Sequence, residues 1–133
     1  MNLNELLIDI IDTQIDVEIQ GLCLNAANIQ AGDVFVALQG QSTHGIDYVD
    51  QAIENGCIAV LVDSQDFDCN VPSVRIDNLE QYLPALASTY YSEAAQVEVI
   101  GVTGTNGKTS VSYFISQLLN QLEIKNGLIG TLG

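Results

Sequence analysis

An α/β fold is predicted for this chain: a small mixed α/β front domain, followed by the first βαβ unit of a second domain built on a parallel sheet. Continuous apolar runs at 33–38 and 57–62 are typical of strands that are covered on both faces. Apolar residues recur at helical spacing at 79–90 and 111–122, so helices alternate with these strands. A hydrophobic content of 47% without polar low-complexity tracts indicates a folded protein.

The front domain is predicted to hold several short strands and two helices before residue 77. The run at 33–38 is rich in β-branched and aromatic residues, which favours a buried strand. Helical spacing of apolar residues begins at Ile46, and Asn55-Gly56 supplies a cap that ends this helix. The predicted elements are a helix at 3–11, strands at 17–19, 22–24 and 33–38, a helix at 46–54, and strands at 57–62 and 74–76.

An apolar stripe at 79–90 predicts a further helix, but Pro84 interrupts it. Proline removes a backbone donor and clashes with the preceding turn, so it disfavours a single unbroken helix. The sequence therefore predicts a helical turn at 78–82 and a main helix that starts near Pro84. Asp77 and Glu80 have the spacing of a capping box at the start of this segment.

A domain boundary is predicted at 92–96, which gives a front domain at 1–95 and an incomplete second domain at 96–133. The second domain is predicted to begin with a strand at 97–102, a glycine-containing loop, and a helix. Asn126-Gly127 ends this unit, and a parallel strand is predicted to start at 128–129. Because one βαβ unit cannot cover both faces of a parallel sheet, the chain is predicted to be a fragment or the product of a truncated reading frame.

Charge and cysteine content narrow the classes of partner. Seventeen acidic residues face only Arg75, Lys108 and Lys125, and the net charge is −14. This balance argues against nucleic acid and against an anionic membrane surface, since both need clustered cations. Three separate cysteines and one histidine offer no common zinc pattern, and the N-terminus lacks a secretory signal. The protein is therefore predicted to be cytoplasmic, with reduced thiols.

The segment 103–109, Thr-Gly-Thr-Asn-Gly-Lys-Thr, is the strongest chemical signal in the sequence. It lies between a predicted strand and an amphipathic helix, where backbone N–H groups and the helix dipole attract phosphate. Lys108 would reach the β- and γ-phosphates of a bound ligand, and the Thr109 hydroxyl would bind the accompanying Mg²⁺. The full phosphate-binding set is Thr103, Gly104, Thr105, Asn106, Gly107, Lys108, Thr109 and Ser110. The alternative is a tight turn with a solvated lysine, and Val102 replaces the first glycine of the general pattern.

Several segments resemble the Mur ligase family. The string at 101–109 resembles the ATP loop of that family, and the segment 31–40 resembles its front-domain signature. His44-Gly45, Tyr48 and Asn55-Gly56-Cys57 are similar to the helix and strand that follow in the same domain. The segment 127–133 resembles the branch of the family that forms the tripeptide. Together these resemblances extend from about residue 20 to the end of the chain.

The resemblance implies the amino-terminal part of an ATP-dependent amide ligase of peptidoglycan synthesis. In such ligases ATP phosphorylates the carboxylate of UDP-N-acetylmuramoyl-L-alanyl-D-glutamate, and the amine of a diamino acid then attacks. The front domain would bind the UDP end of this substrate, with Lys108 as the catalytic cation and ATP and Mg²⁺ in the second domain. The fragment alone is expected to be inactive, because it lacks the family's later magnesium ligands and its carboxy-terminal domain.

By the same resemblance, substrate contacts are expected at five front-domain positions and near the end of the chain. The five are Leu24, Ala26, Gln41, Ser42 and Thr43, and residues 131–133 would lie near the far end of the substrate. The family typically reads Asp-Ser-Arg where this chain has Asn25-Ala26-Ala27. The serine hydroxyl and the arginine charge are therefore absent, and Gln41 to Thr43 have the alternative of a polar surface loop.

Two other functions stay open at the level of sequence. A non-catalytic relative that binds nucleotide or a partner protein is favoured by the loss of the Asp-Ser-Arg residues. An unrelated P-loop kinase or switch is disfavoured, because about 95 residues precede the loop, whereas such folds place it after their first strand. An open reading frame that continues into ligase motifs would favour the ligase over the non-catalytic relative.

Overall fold

The computed structural model describes residues 1–40, 42–63, 67–92 and 97–131. These residues form two compact units, Met1–Gln96 and Val97–Gly133, which are described separately below as the front unit and the second unit. Among the described residues, no helix is both long and apolar enough to cross a membrane.

The front unit is built on a four-stranded parallel sheet. Its strands are β1 (Gly21–Cys23), β2 (Asp33–Ala37), β3 (Ala59–Val62) and β4 (Ser73–Arg75), in the order β1-β2-β3-β4. Leu22 pairs with Val34, Phe35 with Val60, and Leu61 with Val74. The helices of this unit are α1 (Leu3–Leu7), α2 (Val49–Glu54) and α3 (Leu79–Tyr90). The predicted α/β fold is confirmed.

Helices cover both faces of this sheet, which explains the continuous apolar runs in β2 and β3. Side chains alternate along a strand, so Val34 and Leu61 face α1 and α3, whereas Phe35 and Val60 face α2. Every residue of β3 is buried. Among the described residues, no polar or charged residue is buried, so the side chains of the core pack against one another through apolar contacts.

The amino-terminal helix is shorter than predicted, since α1 ends at Leu7 instead of extending to residue 11. Asn2 and Glu5 form a capping box at its start, and Leu3, Leu6 and Leu7 are buried. Ile8, the next residue, is 74% exposed, so continuing the helix would bury no further apolar surface at this position. The strand predicted at 17–19 is also wrong: Glu18 forms only a single antiparallel bridge, with Asn2.

The break predicted at Pro84 does not occur, because α3 is continuous from Leu79 to Tyr90 with the proline inside it. The helix loses one backbone hydrogen bond there, but Leu79 and Leu86 are both buried in the same core. The predicted capping box is wrong as well. Asp77 accepts a hydrogen bond from Arg75 at 2.6 Å, and Asn78, in a left-handed conformation, is the residue that precedes the helix.

The second unit contains α4 (Lys108–Gln121), which confirms the helix predicted after the glycine-containing loop. The strands predicted at 97–102 and 128–129 do not form among the residues described for this unit. A strand needs a hydrogen-bonded neighbour, and within 97–131 these two segments do not pair with each other. Asn126 ties the following segment to the helix, accepting from Ser116 at 2.7 Å and donating to Asn120 at 2.9 Å.

All three cysteines of the chain are free thiols. Cys57 precedes β3 and is buried, and its Sγ donates a hydrogen bond to the carbonyl of Ala59 at 2.9 Å. Burial raises the pKa of the Cys57 thiol, because the thiolate would lose its hydration. Cys57 therefore stays protonated and packs as a small apolar side chain.

Candidate nucleotide and substrate sites

The loop at 103–107 has the backbone geometry that its glycines predict. Gly104 and Gly107 have φ angles of 150° and 75°, which side-chain-bearing residues rarely adopt. Gly107 is the residue that precedes α4, and its carbonyl accepts from the Val111 N–H at 2.9 Å. The loop therefore turns directly into the first turn of a 14-residue helix.

The N-terminus of α4 leaves donors free for a ligand. The first N–H groups of a helix have no partner within it, and no side chain caps this end. Residues 103–110 are all exposed. An exposed, uncapped helix N-terminus after a glycine-containing turn attracts anions through its N–H groups and its dipole.

Lys108 folds back across this loop. Its Nζ donates a hydrogen bond to the Gly104 carbonyl at 2.6 Å. The ammonium group thus lies above the turn where a phosphate would approach the N–H groups. Lys108 and Thr109 also line a cleft of about 610 Å³ in the second unit, and Thr131 lies in its wall. Residues 132 and 133, also expected near the substrate, lie outside the described residues.

A metal ion at this site would depend on the nucleotide for most of its ligands. No group of three or more acidic, histidine or cysteine side chains that could hold a metal occurs in the described part of the chain. Mg²⁺ commonly keeps several waters and takes few protein ligands beside substrate phosphates. One hydroxyl, that of Thr109, fits this manner of binding.

A second cleft, of about 640 Å³, lies in the front unit. Its walls include the segments that directly follow β1 and β2, so it opens at the carboxyl ends of parallel strands, where α/β folds bind ligands. The structure brings three of the predicted substrate contacts together there, namely Leu24, Ala26 and Thr43. Ser42 is exposed but does not line the cleft, and Gln41 lies outside the described residues.

Four polar side chains line the front cleft that the sequence did not single out as contacts. They are Asn25, Gln39, Tyr48 and Gln51. Two of them could have been found by their position, since Asn25 and Gln39 lie within two residues of the ends of β1 and β2. The hydroxyls of two lining residues, Thr43 and Tyr48, share a hydrogen bond of 3.3 Å.

The segment Asn25-Ala26-Ala27 forms an ordered turn at the cleft wall. The Asn25 side chain accepts from the Ala27 N–H at 3.0 Å and caps a single 3₁₀ turn, Ala26–Asn28. Asn55 donates to the Ala26 carbonyl at 2.9 Å and ties this turn to the end of α2. An aspartate at position 25 would make the same cap, so the turn does not depend on the acid.

Charge is divided unequally between the two units. Fifteen of the 17 acidic residues lie in 1–96 with Arg75 as the sole basic residue, whereas 97–133 carry Glu98 and Glu123 against Lys108 and Lys125. Arg75 pairs with Asp77 at 2.6 Å and does not line the front cleft. Any phosphate in the front cleft would therefore meet neutral donors, whereas one at the loop of the second unit would meet a cation.

His44 and Asp63 form a hydrogen bond next to the front cleft. The His44 Nε2 and Asp63 Oδ1 atoms are 2.8 Å apart, and both side chains are about four-fifths buried, at 22% and 23% exposed. The His44 Nδ1 accepts from the Ile46 N–H at 3.1 Å. Asp63 directly follows β3, a position that would have signalled it from the sequence.

Two family profiles match this chain in succession. The profile of the Mur ligase family, catalytic domain, matches residues 18–91. The profile of the Mur ligase middle domain matches residues 102–133. The first match includes the front cleft and the second includes the phosphate loop.

Curated relatives with the same name are similar over most of the chain. The UDP-N-acetylmuramoyl-L-alanyl-D-glutamate–2,6-diaminopimelate ligase of Lactiplantibacillus plantarum is 39% identical over 118 residues, covering 88% of this chain and 24% of the relative. The ligase of that name from Coxiella burnetii is 37% identical over 123 residues, covering 89% of this chain and 25% of the relative. The chain thus spans about a quarter of the length of these relatives.

Solved structures of Mur ligases share the fold. MurF from Acinetobacter baumannii superposes with a TM-score of 0.70 at 23% identity, covering 91% of this chain and 28% of that one. MurF from Thermotoga maritima, solved in complex with ADP, gives a TM-score of 0.60 at 27% identity, covering 81% of this chain and 25% of that one. Since the first family profile alone matches more than half of its residues, the chain belongs to the Mur ligase family.

Proposed function

We propose that this chain is the amino-terminal part of an ATP-dependent amide ligase that adds a diamino acid to UDP-N-acetylmuramoyl-L-alanyl-D-glutamate in peptidoglycan synthesis. The observation that carries the proposal is the uncapped helix N-terminus with Lys108 folded across its loop. The similar curated relatives are named as ligases of 2,6-diaminopimelate, which makes that diamino acid the first candidate. The cytoplasmic location stays a prediction of the sequence.

In the second unit, the phosphates of ATP would be held by backbone and side-chain groups of residues 103–110. ATP supplies the phosphoryl group that makes a carboxylate oxygen a good leaving group. The α4 N-terminus and the glycine turn donate N–H groups, and the Lys108 ammonium offsets negative charge near the transferred phosphate. The Thr109 hydroxyl would provide one ligand to Mg²⁺.

In the front unit, the cleft at the ends of β1 and β2 would take the UDP end of the substrate. Leu24, Ala26 and Thr43 line it, and Gln41 and Ser42 are proposed with them. Because no lysine or arginine lines this cleft, the diphosphate would be bound by hydroxyl, amide and backbone donors. Neutral donors select the shape and hydrogen-bonding groups of a ligand more than its charge.

A non-catalytic nucleotide-binding or partner-binding relative is the second candidate. The observation that favours it is the missing serine hydroxyl and arginine charge at Asn25-Ala26-Ala27. Loss of a hydrogen bond to a charged group costs about 1.5–3 kcal/mol when nothing replaces it. The two candidates therefore differ in whether the front cleft still binds the UDP substrate.

Calorimetric titration of the chain with UDP-N-acetylmuramoyl-L-alanyl-D-glutamate distinguishes the two candidates. We expect binding, and we expect affinity to stay level or rise as salt is raised from about 50 to about 500 mM, because salt screens repulsion between the acidic front unit and an anionic ligand. UDP-N-acetylglucosamine serves as the control that lacks the dipeptide. A folded chain that binds ATP–Mg²⁺ but not the UDP substrate would support the non-catalytic relative.

A further inference from the structure

The His44–Asp63 pair belongs to neither proposed set of ligand contacts, although it lies close to one of them. Neither residue lines the front cleft, whereas Thr43 and Gly45, the neighbours of His44, both do. Asp63 follows β3 directly and reaches His44 across 19 positions of sequence. The pair therefore links the end of β3 to the wall of a cleft that opens beyond β1 and β2.

Both ring nitrogens of His44 are used within the chain. Nδ1 accepts the Ile46 N–H, so the proton of the neutral ring lies on Nε2, which donates to Asp63. No ring atom is left to bind a phosphate or a metal ion. A function for His44 must consequently act through the backbone that it holds in place.

That backbone carries Thr43. The Gly40 N–H donates to the Thr43 carbonyl at 2.9 Å, and the Gly45 N–H donates to Leu38 at 2.7 Å. A Cβ atom on Gly45 would lie 2.7 Å from Ala37 Cα. The backbone at Gly45 therefore lies so close to the end of β2 that a side chain would not fit between them. The segment is thus held at β2 by Gly45 and at β3 by the His44–Asp63 hydrogen bond.

We propose that His44 and Asp63 are positioning residues that hold Thr43 at the front cleft for contact with the UDP end of the substrate. The proposal rests on the function proposed above for this cleft. It also explains why an acidic residue, Asp63, lies near a site for an anion: its carboxylate accepts the His44 hydrogen bond, although its charge would repel the ligand. The hydrogen bond to this carboxylate fixes the imidazole ring of His44, the residue directly before Gly45.

Three substitutions separate the hydrogen bond from the charge. Asp63→Ala removes the acceptor, whereas Asp63→Asn keeps an acceptor oxygen without the charge. His44→Asn keeps a side-chain acceptor for the Ile46 N–H, as asparagine does at helix starts, but is too short to reach Asp63. Asp77→Ala is the matched control, because it removes another carboxylate of the described front unit that is paired with a side chain, Arg75, away from the cleft.

We expect Asp63→Ala and His44→Asn to weaken binding of UDP-N-acetylmuramoyl-L-alanyl-D-glutamate about tenfold, as loss of one positioned hydrogen bond would. Asp63→Asn should stay within about threefold of the parent chain, and Asp77→Ala should leave binding unchanged. Titrations are made well below each variant's melting temperature, so that a loss of stability alone does not change the measured affinity. The direction of the change in affinity distinguishes the two effects of Asp63→Ala, because removing a negative charge near an anion would by itself tighten binding.

Amide hydrogen exchange gives a second readout that needs no ligand. In Asp63→Ala the Gly40 and Gly45 amides should exchange faster, while those within β3 keep their protection. Unchanged affinity in Asp63→Ala, unchanged exchange at both glycines, or equal losses in Asp63→Asn and Asp63→Ala would each overturn the inference and leave the proposed function standing. No binding by the folded parent chain would overturn both the front-cleft function and the inference.

Discussion

Lys108→Ala is expected to weaken binding of ATP–Mg²⁺ by about 10- to 150-fold, since a hydrogen bond to a charged group contributes roughly 1.5–3 kcal/mol. The Lys108 ammonium already lies 2.6 Å from the Gly104 carbonyl, across the loop that would hold the phosphates. The side chain is exposed, so its removal should leave the fold intact. Calorimetric titration with ATP–Mg²⁺ measures the loss, and circular dichroism verifies that the helix content is unchanged.

Lys125→Ala is the matched control for Lys108. It removes the same charge from the same unit, in which these two lysines are the only basic residues. We expect a change of less than about threefold, because a charge that does not touch the ligand acts only through a screened field. Equal losses in the two variants would mean that the second unit attracts ATP by net charge and not by the geometry of the loop.

Leu61→Ala is expected to lower the free energy of unfolding of the front unit by about 3 kcal/mol, within the usual range for buried leucines. Leu61 is fully buried at the centre of β3 and packs with residues of α1, α3 and the neighbouring strands. The substitution removes apolar contact on one face and leaves a cavity. Urea denaturation followed by circular dichroism measures the change.

Ile8→Ala is the control for Leu61 because Ile8 is 74% exposed in the same unit. A change below about 0.5 kcal/mol is expected there. If both variants lost equal stability, or neither lost any, the assignment of β3 to the centre of a covered sheet would be contradicted. The Asp63 contact to His44 would then lose its structural basis, since Asp63 directly follows β3.

The central strands of the front unit could be predicted because buried strands have continuous runs of apolar residues. β2 and β3 are covered on both faces, so nearly every position in them is apolar. The helix break at Pro84 could not be judged in the same way. Pro84 costs the helix one backbone hydrogen bond, whereas a continuous helix buries both Leu79 and Leu86 in one core. The structure shows that the helix continues, so the gain from burial exceeds the cost of the lost hydrogen bond.

The strands of the second unit show a different limit. Local pattern predicted strands at 97–102 and 128–129, but a strand exists only with a partner. Ile129 is fully exposed and Val99 is 88% exposed, so the apolar side chains that suggested strands are not covered by any of the described residues. The α4 helix, whose hydrogen bonds are all local, was predicted correctly.

The two candidate sites differ in how much of them is local in sequence. The loop from Gly104 to Lys108 is contiguous, so its spacing alone predicted a nucleotide site. The front cleft brings together segments that follow separate strands, and its resemblance-based contacts included neither Asn25 nor Tyr48. The His44–Asp63 pair depends on the order of β2 and β3 in the sheet, which no short motif encodes.

Residue-resolved NMR titration of the isotopically labelled chain tests most directly whether it holds two separate ligand sites. We expect ATP–Mg²⁺ to shift the amide signals of Gly104, Gly107 and Thr109 and to leave those of Leu24 and Thr43 in place. UDP-N-acetylmuramoyl-L-alanyl-D-glutamate should shift the signals of Leu24, Ala26 and Thr43 instead. Shifts by both ligands at the same residues, or by neither at these positions in a folded chain, would contradict the account.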